Sequence, residues 1–359
     1  MRDGNESFVI TDESVGEQVN VQVSESSQVA DARRRVTALA VQGGFNEADA
    51  GVCAVIASEM GTNLVKHSKG GELFLRALSH TSTRGIEILA LDRGPGMGNL
   101  ARALRDGHST SGSSGTGLGA IGRMASEFDI QSMPGRGTAL VARIWDSPPS
   151  ARRESLPTVI GLINRAMPGE TLSGDGWFYT SSDRRTVCAI ADGLGHGPLA
   201  AQASSCAIES LRSSGTAPLV DQIDRAHGAL RATRGVALGV AEILHDQGIV
   251  KFSGVGNIMA MVIQNGTTRN MVSHNGILGH QIGRVTEFQY PWSESAILIM
   301  CSDGISTHWD LKSYDGLMSR DPSLIAAILY RDFARGRDDA TVLVFKHMTK
   351  GPPRRSSYG

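Results

Sequence analysis

The segment that organises this chain reads Ala191-Asp192-Gly193-Leu194-Gly195-His196-Gly197. An apolar run, Thr186–Ala191, leads into it and predicts a buried strand, and a helical pattern begins after Pro198. A carboxylate at a strand end, followed by glycines that let the backbone approach closely, can hold a hard cation through oxygen. By itself, however, the segment is better explained as a turn that precedes a helix.

Three further acidic motifs lie at the ends of predicted strands. They are Ser173-Gly174-Asp175-Gly176-Trp177, Cys301-Ser302-Asp303-Gly304 and Arg337-Asp338-Asp339-Ala340-Thr341. We expect these carboxylates to converge with Asp192 at one edge of a sheet. Because oxygen ligands recur without a Cys/His cluster, the pattern favours magnesium or manganese over zinc. A pair of such ions needs a bridging carboxylate, and Asp192 is the natural candidate.

Length and composition narrow the class of protein. The chain has 359 residues, which predicts two domains. Its net charge of -1 argues against nucleic acid and charged membrane surfaces as partners. The four cysteines have no metal-like spacing, which indicates free thiols in a reducing compartment. With no signal-peptide core and no apolar run near the ~20 residues of a membrane span, we expect a soluble cytoplasmic protein.

The first half of the chain alternates strand and helix patterns. The expected elements are strands at Phe8–Ile10 and Val19–Val23, helices after Ser26-Ser27 and from near Asn46, strands at Glu72–Leu78 and Gly85–Leu91, a helix at Ala120–Phe128 and a strand at Thr138–Trp145. The last helix follows a Ser/Gly-rich loop at 107–119. Glycines at a helix N-terminus expose N–H groups to an anion, so the loop predicts phosphate binding. The alternative for this loop is a flexible linker.

The second expected helix carries a candidate polar pair. Glu59 and Asn63 are four residues apart and therefore share a helix face. An acid and an amide on one face can position a hydroxyl group and a magnesium ion. Taken alone, the pair is better explained as a solvated helix face.

The order of these motifs resembles the GHKL ATPase/kinase family, in particular its anti-sigma-factor serine kinase branch (RsbW/RsbT type). The resemblance covers Phe8–Trp145 and rests on Glu59…Asn63, Asp92-x-Gly-x-Gly96 and Gly115-x-Gly-x-Gly119. It implies an α/β sandwich (the Bergerat fold) that binds ATP and magnesium. By this resemblance Glu59 is the catalytic base, Asn63 a magnesium ligand and Asp92 the contact to the adenine amino group. The implied purine-pocket and phosphate-binding glycines are Gly94, Gly96, Gly115, Gly117 and Gly119.

Residues 147–156 are polar and proline-bearing, and predict a linker between domains at 1–146 and 157–348. The second domain carries the acidic motifs between strand patterns, with helices expected at Leu199–Leu211 and Leu219–Leu230. Residues 349–359 predict a disordered tail.

The second half resembles the SpoIIE/RsbX-type branch of the metal-dependent (PPM) serine/threonine phosphatases, over Pro157–Lys346. The resemblance implies an αββα sandwich with two manganese or magnesium ions, so the whole chain is expected to be an α/β (α+β) protein of two domains. It implies that Asp192 bridges the ions and that the Gly193 carbonyl is a ligand. Asp175, Asp303 and Asp338 complete the set, with Asp339 as the alternative to Asp338. His196 is either a proton donor or a structural residue at the helix start.

Together, the two resemblances imply a bifunctional regulator of a bacterial partner-switching pathway. Its kinase and phosphatase halves act on serine or threonine of STAS-domain anti-anti-sigma proteins, and a sigma factor or a stressosome-like complex is a further partner. Relatives of the kinase fold often pair, so a homodimer is an additional hypothesis. Two alternatives stay open: a non-catalytic nucleotide-binding adaptor in the N-terminal half, and an ATP hydrolase without a protein substrate.

Overall fold

The computed structural model describes residues 18–80, 83–104, 117–146 and 159–347. Within these ranges the chain forms seven α-helices and fifteen β-strands, which are arranged in three five-stranded sheets. The expected strand at 8–10, the linker at 147–156, Gly115 and the tail at 349–359 lie outside the described residues. In the described part, no helix combines the length and apolar character that a membrane crossing requires.

The first sheet is antiparallel throughout, in the order β1-β2-β3-β5-β4. Its strands are β1 (Val19–Val23), β2 (Gly71–His80), β3 (Thr83–Leu91), β4 (Glu127–Met133) and β5 (Gly137–Trp145). The helices of this half are α1 (Ser26–Gln42), α2 (Glu47–Ser68), α3 (Leu100–Ala103) and α4 (Gly117–Met124). Apolar side chains of α1, α2 and α4 share one core with a face of this sheet. Both long helices begin near the predicted positions.

The caps of these helices have clear chemical causes. A capping box starts α1, in which Glu25 and Gln28 bond each other's backbone N–H groups. The cap is therefore Glu25 and not the predicted serine. The side chain of Asn46 accepts the Asp49 N–H at 2.9 Å and starts α2.

The expected helix at Ala120–Phe128 is wrong in its second half. Helix α4 ends at Met124, and β4 begins at Glu127 and pairs along its whole length with β5. Helical spacing of apolar residues is a local signal, whereas pairing with β5 gives Phe128 and Ile130 a place on the sheet. The long-range pairing determines the structure here.

The second half is a sandwich of two antiparallel sheets, in the orders β13-β10-β9-β8-β7 and β12-β11-β14-β15-β6. The first contains β7 (Asp175–Ser181), β8 (Arg185–Gly193), β9 (Val236–Leu244), β10 (Ile249–Val255) and β13 (Phe288–Pro291). The second contains β6 (Val159–Arg165), β11 (Met259–Gln264), β12 (Thr267–Asn270), β14 (Ile297–Cys301) and β15 (Ala340–Lys346). The predicted helices are confirmed as α5 (Pro198–Ser214) and α6 (Leu219–Ala229), which pack on the first of these sheets.

One further helix, α7 (Pro322–Phe333), has no counterpart in the sequence-based predictions. It packs on β6 and β15 of the sandwich and also on β3, β4 and β5 of the first sheet. Its Ile325 and Leu329 are buried in the same cluster as Leu89 and Val141 of the first sheet. The layers therefore follow in this order: helices α1, α2 and α4, then the first sheet, then α7. The sheet that contains β6 and β15 comes next, followed by the sheet that contains β7 and β8, and finally α5 and α6. This confirms the expected α/β class with two sandwich-like halves.

A histidine pair on the sandwich predicts a pH-dependent stability. His245 Nδ1 lies 3.2 Å from His347 Nε2, and burial, with the charge of His347, lowers the pKa of His245 to about 4. The unfolded chain, with a histidine pKa near 6.5, therefore binds more protons between pH 6.5 and 4, and this contribution to stability falls as the pH drops through that window. The free energy of unfolding of the wild type is expected to fall between pH 7.5 and 5.0. In His245→Gln we expect this fall to be smaller by about 1 kcal/mol.

Melting curves of both proteins at the two pH values, in the presence of a chelator, measure this difference. Equal pH slopes in the wild type and the variant would contradict the assignment.

Candidate functional site

Strands β7 and β8 bring two of the predicted carboxylates together. They are antiparallel neighbours in which Asp175 and Asp192 lie directly opposite each other, so the two side chains share a face of the sheet. Burial raises the pKa of Asp192 to about 9, and the charges of Asp175, Asp303, Asp338 and Asp339 act in the same direction. The four acidic motifs thus form one acidic cluster, defined by these five aspartates.

Asp175 is an enclosed member of the acidic cluster, at 6% exposure. Its side chain is buried, and burial raises its pKa to about 7. Ser302 Oγ donates to Asp175 Oδ2 at 2.6 Å and accepts the Thr341 N–H at 2.9 Å. Asn164 Nδ2 donates to Thr341 Oγ1 at 3.2 Å and to the Asp175 carbonyl at 3.1 Å. This network fixes Asp175 between three strands.

Sequence reasoning gave these supporting residues no role. Ser302 and Thr341 stand inside quoted motifs, so their positions next to the acids were the available signal. Asn164 carries no local signal, since it reaches the site only through the pairing of β6 with β15.

Asp303 follows β14 and is held by a partner from a neighbouring turn. Asn257 Nδ2 donates to its Oδ2 at 2.6 Å. Burial raises the pKa of Asp303, with a contribution from the charge of Asp338, whereas Arg335 acts in the opposite direction. The bend at 256–257, between β10 and β11, therefore orients one oxygen of the Asp303 carboxylate.

The structure distinguishes Asp338 from Asp339. The Asp339 carboxylate is buried and accepts two backbone N–H groups, from Met167 at 2.8 Å and from Gly174 at 2.9 Å. Asp338 is exposed, and one of its oxygens accepts the Asp339 N–H at 2.9 Å. Asp339 thus ties together the loops beside the site, while Asp338 keeps an oxygen available. This favours Asp338 over Asp339 as a metal ligand.

Gly193 is the last residue of β8, and His196 lies in the loop that follows. A Cβ on Gly193 would stand 2.2 Å from the Ala200 carbonyl oxygen, so a glycine is required for α5 to approach the strand. The side chain of His196 is half exposed, and its Nδ1 lies 2.8 Å from Glu170 Oε1. The pair stands at the rim near Asp339. Burial raises the pKa of Asp339, and the neighbouring His196 acts in the opposite direction. This contact supports the structural interpretation of His196.

The acidic cluster fits hard divalent cations with water-rich coordination. Several carboxylates that raise each other's pKa are stabilised when a cation compensates their charge. Among the described residues, no three acidic, histidine or cysteine side chains converge closely enough to hold one ion by themselves. Magnesium, however, keeps several waters and commonly binds through one or two carboxylates. Asp175, Asp192, Asp303 and Asp338, with the Gly193 carbonyl, are the groups that would supply the protein ligands.

The second candidate site lies on α2, where it meets the start of α4. A Cβ on Gly117 would lie 3.1 Å from Glu59 Oε2 and 3.8 Å from Asn63 Oδ1. Glu59 and Asn63 therefore share a helix face, and that face lies against the first residue of α4. Gly119 follows in the first turn of α4. An anion at this helix start would lie close to both polar side chains.

Asp92 directly follows β3 and accepts two backbone N–H groups through its Oδ1, from Gly94 at 2.6 Å and from Thr138 at 3.3 Å. Burial raises its pKa, while these two hydrogen bonds and the charge of Arg331 act in the opposite direction. Sequence reasoning did not identify Thr138, because its contact to Asp92 needs the pairing of β3 with β5. The carboxylate is fixed in place, as recognition of a polar ligand edge requires.

Two glycines of the Asp92 loop are sterically required. A Cβ on Gly94 would lie 2.6 Å from the Ser68 Cβ atom. Gly96 has a φ of +66°, and its Cβ would meet the Met133 carbonyl oxygen at 2.0 Å. The loop is thereby pressed between the end of α2 and the β4–β5 hairpin. The structure thus brings Glu59, Asn63 and Gly117 together, and places Asp92, Gly94 and Gly96 in an adjoining loop.

Comparison with known families matches both halves of the chain. Residues 23–155 match the family described as histidine kinase-like ATPase domain. Residues 182–348 match the family described as stage II sporulation protein E (SpoIIE). Both resemblances that the motifs indicated are thereby confirmed.

Two proteins of Bacillus subtilis (strain 168) are similar to this chain. The serine/threonine-protein kinase RsbT is 28% identical over 131 residues, which are 36% of this chain and 98% of RsbT. The phosphoserine phosphatase RsbX is 28% identical over 105 residues, which are 29% of this chain and 52% of RsbX. This chain therefore spans about half the length of RsbX.

Among solved structures, one described as "The bacterial stressosome: a modular system that has been adapted to control secondary messenger signaling" is 26% identical. The superposition covers 53% of this chain and 99% of the chain in that structure, with a TM-score of 0.50.

Proposed function

We propose that this chain, in which a histidine kinase-like ATPase domain precedes a SpoIIE-type PPM phosphatase domain, is a two-activity regulator of a partner-switching pathway. The N-terminal half transfers the γ-phosphoryl group of ATP to a protein serine or threonine. The C-terminal half hydrolyses the product. The observation that carries this proposal is the acidic cluster at the joined ends of β7, β8, β14 and β15.

The phosphatase proposal follows from the donor set of the cluster. Divalent ions held by these carboxylates would supply a bound water of lowered pKa for attack on a phosphomonoester. The chain itself supplies Asp192, held by β8 opposite Asp175, and Asp303, oriented by Asn257. The positive charge of Arg335 beside Asp303 is placed to neutralise part of the charge of an incoming phosphate.

The kinase proposal follows from the residues around Gly117. Glu59 is placed to accept the proton of the attacking hydroxyl group, and Asn63 to hold magnesium beside the phosphates. Asp92, fixed by Gly94 and Thr138, is placed to accept the hydrogen bond of the adenine amino group. Phosphoryl transfer depends mostly on positioning and charge, and such groups supply both.

The substrates proposed are STAS-domain anti-sigma-factor antagonists, on their own or in a stressosome-like complex. The support comes from the similarity to RsbT, to RsbX and to the stressosome structure. Both activities then act on one partner, which the chain switches between two phosphorylation states.

Removal of metal tests the phosphatase half. After dialysis against EDTA, the protein is expected to release no phosphate from a phosphoserine peptide, and added Mn²⁺ or Mg²⁺ restores the release. The measurement is free phosphate against time, with zinc as the control ion because the site offers oxygen ligands only. Full activity in the presence of EDTA would contradict the proposed site.

Exposed leucines beside the acidic cluster favour a protein substrate. Leu194 and Leu199 are 50% and 52% exposed, two residues after Asp192 and in the first turn of α5. A pair of exposed leucines at the rim of a site offers apolar surface on which a macromolecular substrate can dock. We expect the double variant L194S/L199S to lower kcat/KM for a phosphorylated STAS-domain protein by about tenfold.

Hydrolysis of p-nitrophenyl phosphate, which has no polypeptide to dock on the leucines, serves as the control for this double variant. Equal losses for both substrates would contradict a docking role.

A further inference from the structure

Helix α7 joins the two proposed active sites. Buried side chains on α7 pack against strands of both halves, so it cannot move relative to one half without disturbing the other. Its two ends make specific polar contacts.

The start of α7 is fixed to the first sheet by buried charges. Asp321 caps the helix by accepting the Ser323 N–H at 2.9 Å. Arg143, on β5, donates to both Asp321 oxygens, at 2.6 and 2.7 Å, and also to Glu87 on β3 at 2.8 Å. All four of these residues are buried. Buried ion pairs of this kind contribute little net stability but fix the register of the surfaces that they join.

The end of α7 lies behind the proposed adenine site. Arg331 is only 3% exposed, and its Nη1 lies 3.5 Å from the carbonyl oxygen of Asp92. The same guanidinium binds the carboxylate of Asp332 at 2.7 and 2.8 Å. Arg93, the residue after Asp92, also lies 3.9 Å from Asp332. The loop that carries Asp92 is therefore in contact with the last turn of α7.

The residues that follow this turn support the metal-site loop. The Ser306 N–H donates to the Phe333 carbonyl at 2.8 Å, and the Arg335 N–H donates to the Gly304 carbonyl at 2.8 Å. Ile305 and Ala334 form a bridge between these two bonds. Asp303 precedes one side of this short ladder, and Asp338 follows the other. The end of α7 thus contacts the loops of both proposed sites.

We propose that α7 couples the two sites, so that nucleotide bound at the Asp92 site changes the rate of the phosphatase. The inference rests on the proposed function and adds the regulation that two opposed activities in one chain require. Binding of adenine to Asp92 changes the loop that contacts Arg331, and residues 333–335 carry the change to Gly304 and Ile305. Coupling between two sites commonly changes binding or activity by about fivefold or more.

The test uses the full chain and p-nitrophenyl phosphate, a substrate that needs no docking surface. Its hydrolysis is measured at fixed free Mn²⁺, with and without a saturating non-hydrolysable ATP analogue whose binding is followed by calorimetry. We expect kcat/KM to change by about fivefold or more in the wild type. In Arg331→Lys, which keeps the charge and loses the planar guanidinium, the change is expected to shrink to less than about twofold, while hydrolysis without nucleotide is retained.

Arg320→Gln is the matched control. Arg320 also joins the two halves, through Asp129 at 3.1 Å, but it lies before α7 and away from Arg331. It should keep the full nucleotide effect, and melting curves confirm that both variants fold.

Three outcomes would overturn the inference. If the analogue binds and hydrolysis proceeds unchanged in the wild type, the coupling is absent. If Arg331→Lys and Arg320→Gln lose the nucleotide effect equally, the end of α7 does not couple the two sites. If the wild type shows no hydrolysis or no binding at all, the proposed function itself fails, and the inference fails with it.

Discussion

Asp192→Asn is expected to lower the kcat/KM of the phosphatase by about a thousandfold. Asp192 stands opposite Asp175 at the centre of the acidic cluster and is affected by the charge of all four neighbours. An amide at this position has nearly the same shape but loses the charge that a pair of cations requires. Phosphate release from a phosphoserine peptide with Mn²⁺ measures the loss.

The same substitution should stabilise the metal-free protein. In the folded protein the pKa of Asp192 is raised to about 9, whereas in the unfolded chain an aspartate has a pKa near 3.9. As the pH rises above about 3.9, the unfolded chain ionises this group first, so the free energy of unfolding falls. The asparagine side chain of the variant has no ionisable group, so the metal-free variant is expected to melt at a higher temperature than the wild type at pH 8.

Asp183→Asn provides the control for Asp192. Asp183 is an exposed aspartate in the turn that joins β7 and β8, at the end opposite to Asp192. The phosphatase activity of the Asp183→Asn variant should equal that of the wild type. An Asp192→Asn enzyme with activity near the wild-type level would show that hydrolysis does not occur at the acidic cluster.

Glu59→Gln is the second substitution with a large expected effect. It should lower phosphoryl transfer to a protein hydroxyl by about a hundredfold or more, because the glutamine cannot accept the proton of the attacking group. Nucleotide binding is expected to persist, since Asp92 and the glycines of its loop are unchanged. Labelled phosphate on the acceptor protein measures transfer, and calorimetry with ATP measures binding.

Glu47→Gln is the matched variant on the same helix. Glu47 lies exposed in the first turn of α2, about three turns away from Glu59, and its removal should leave transfer intact. If Glu59→Gln transferred phosphate at the wild-type rate, the α2 site would not be the site of transfer. Loss of binding together with transfer would instead indicate a structural role for Glu59.

The acidic cluster was predictable because each of its members follows or precedes an apolar strand. Asp192, Asp303 and Asp338 could be placed at strand ends from the sequence, and the antiparallel pairing of β7 with β8 then puts Asp175 opposite Asp192. The choice between Asp338 and Asp339 needed the structure, because it depends on the amides of Met167 and Gly174.

The helix α7 and the strand β4 escaped prediction for related reasons. Nearly every residue of α7 is buried, so it lacks the one-sided apolar pattern by which a helix is recognised. Residues 125–133 begin with helical spacing, and only pairing with β5 makes them a strand. The contacts of Asn164 to Thr341 and of Arg143 to Asp321 likewise span well over a hundred residues, and no local pattern encodes them.

The central claim is that one chain both adds phosphate to a partner and removes it. The most direct test incubates the protein with radiolabelled ATP and a STAS-domain protein, with and without Mn²⁺, and includes the Asp192→Asn and Glu59→Gln variants. We expect label to appear on the partner, to persist longer with Asp192→Asn and to be absent with Glu59→Gln. No label on the partner even when the phosphatase is disabled would contradict the claim and would favour a nucleotide-binding adaptor in the N-terminal half.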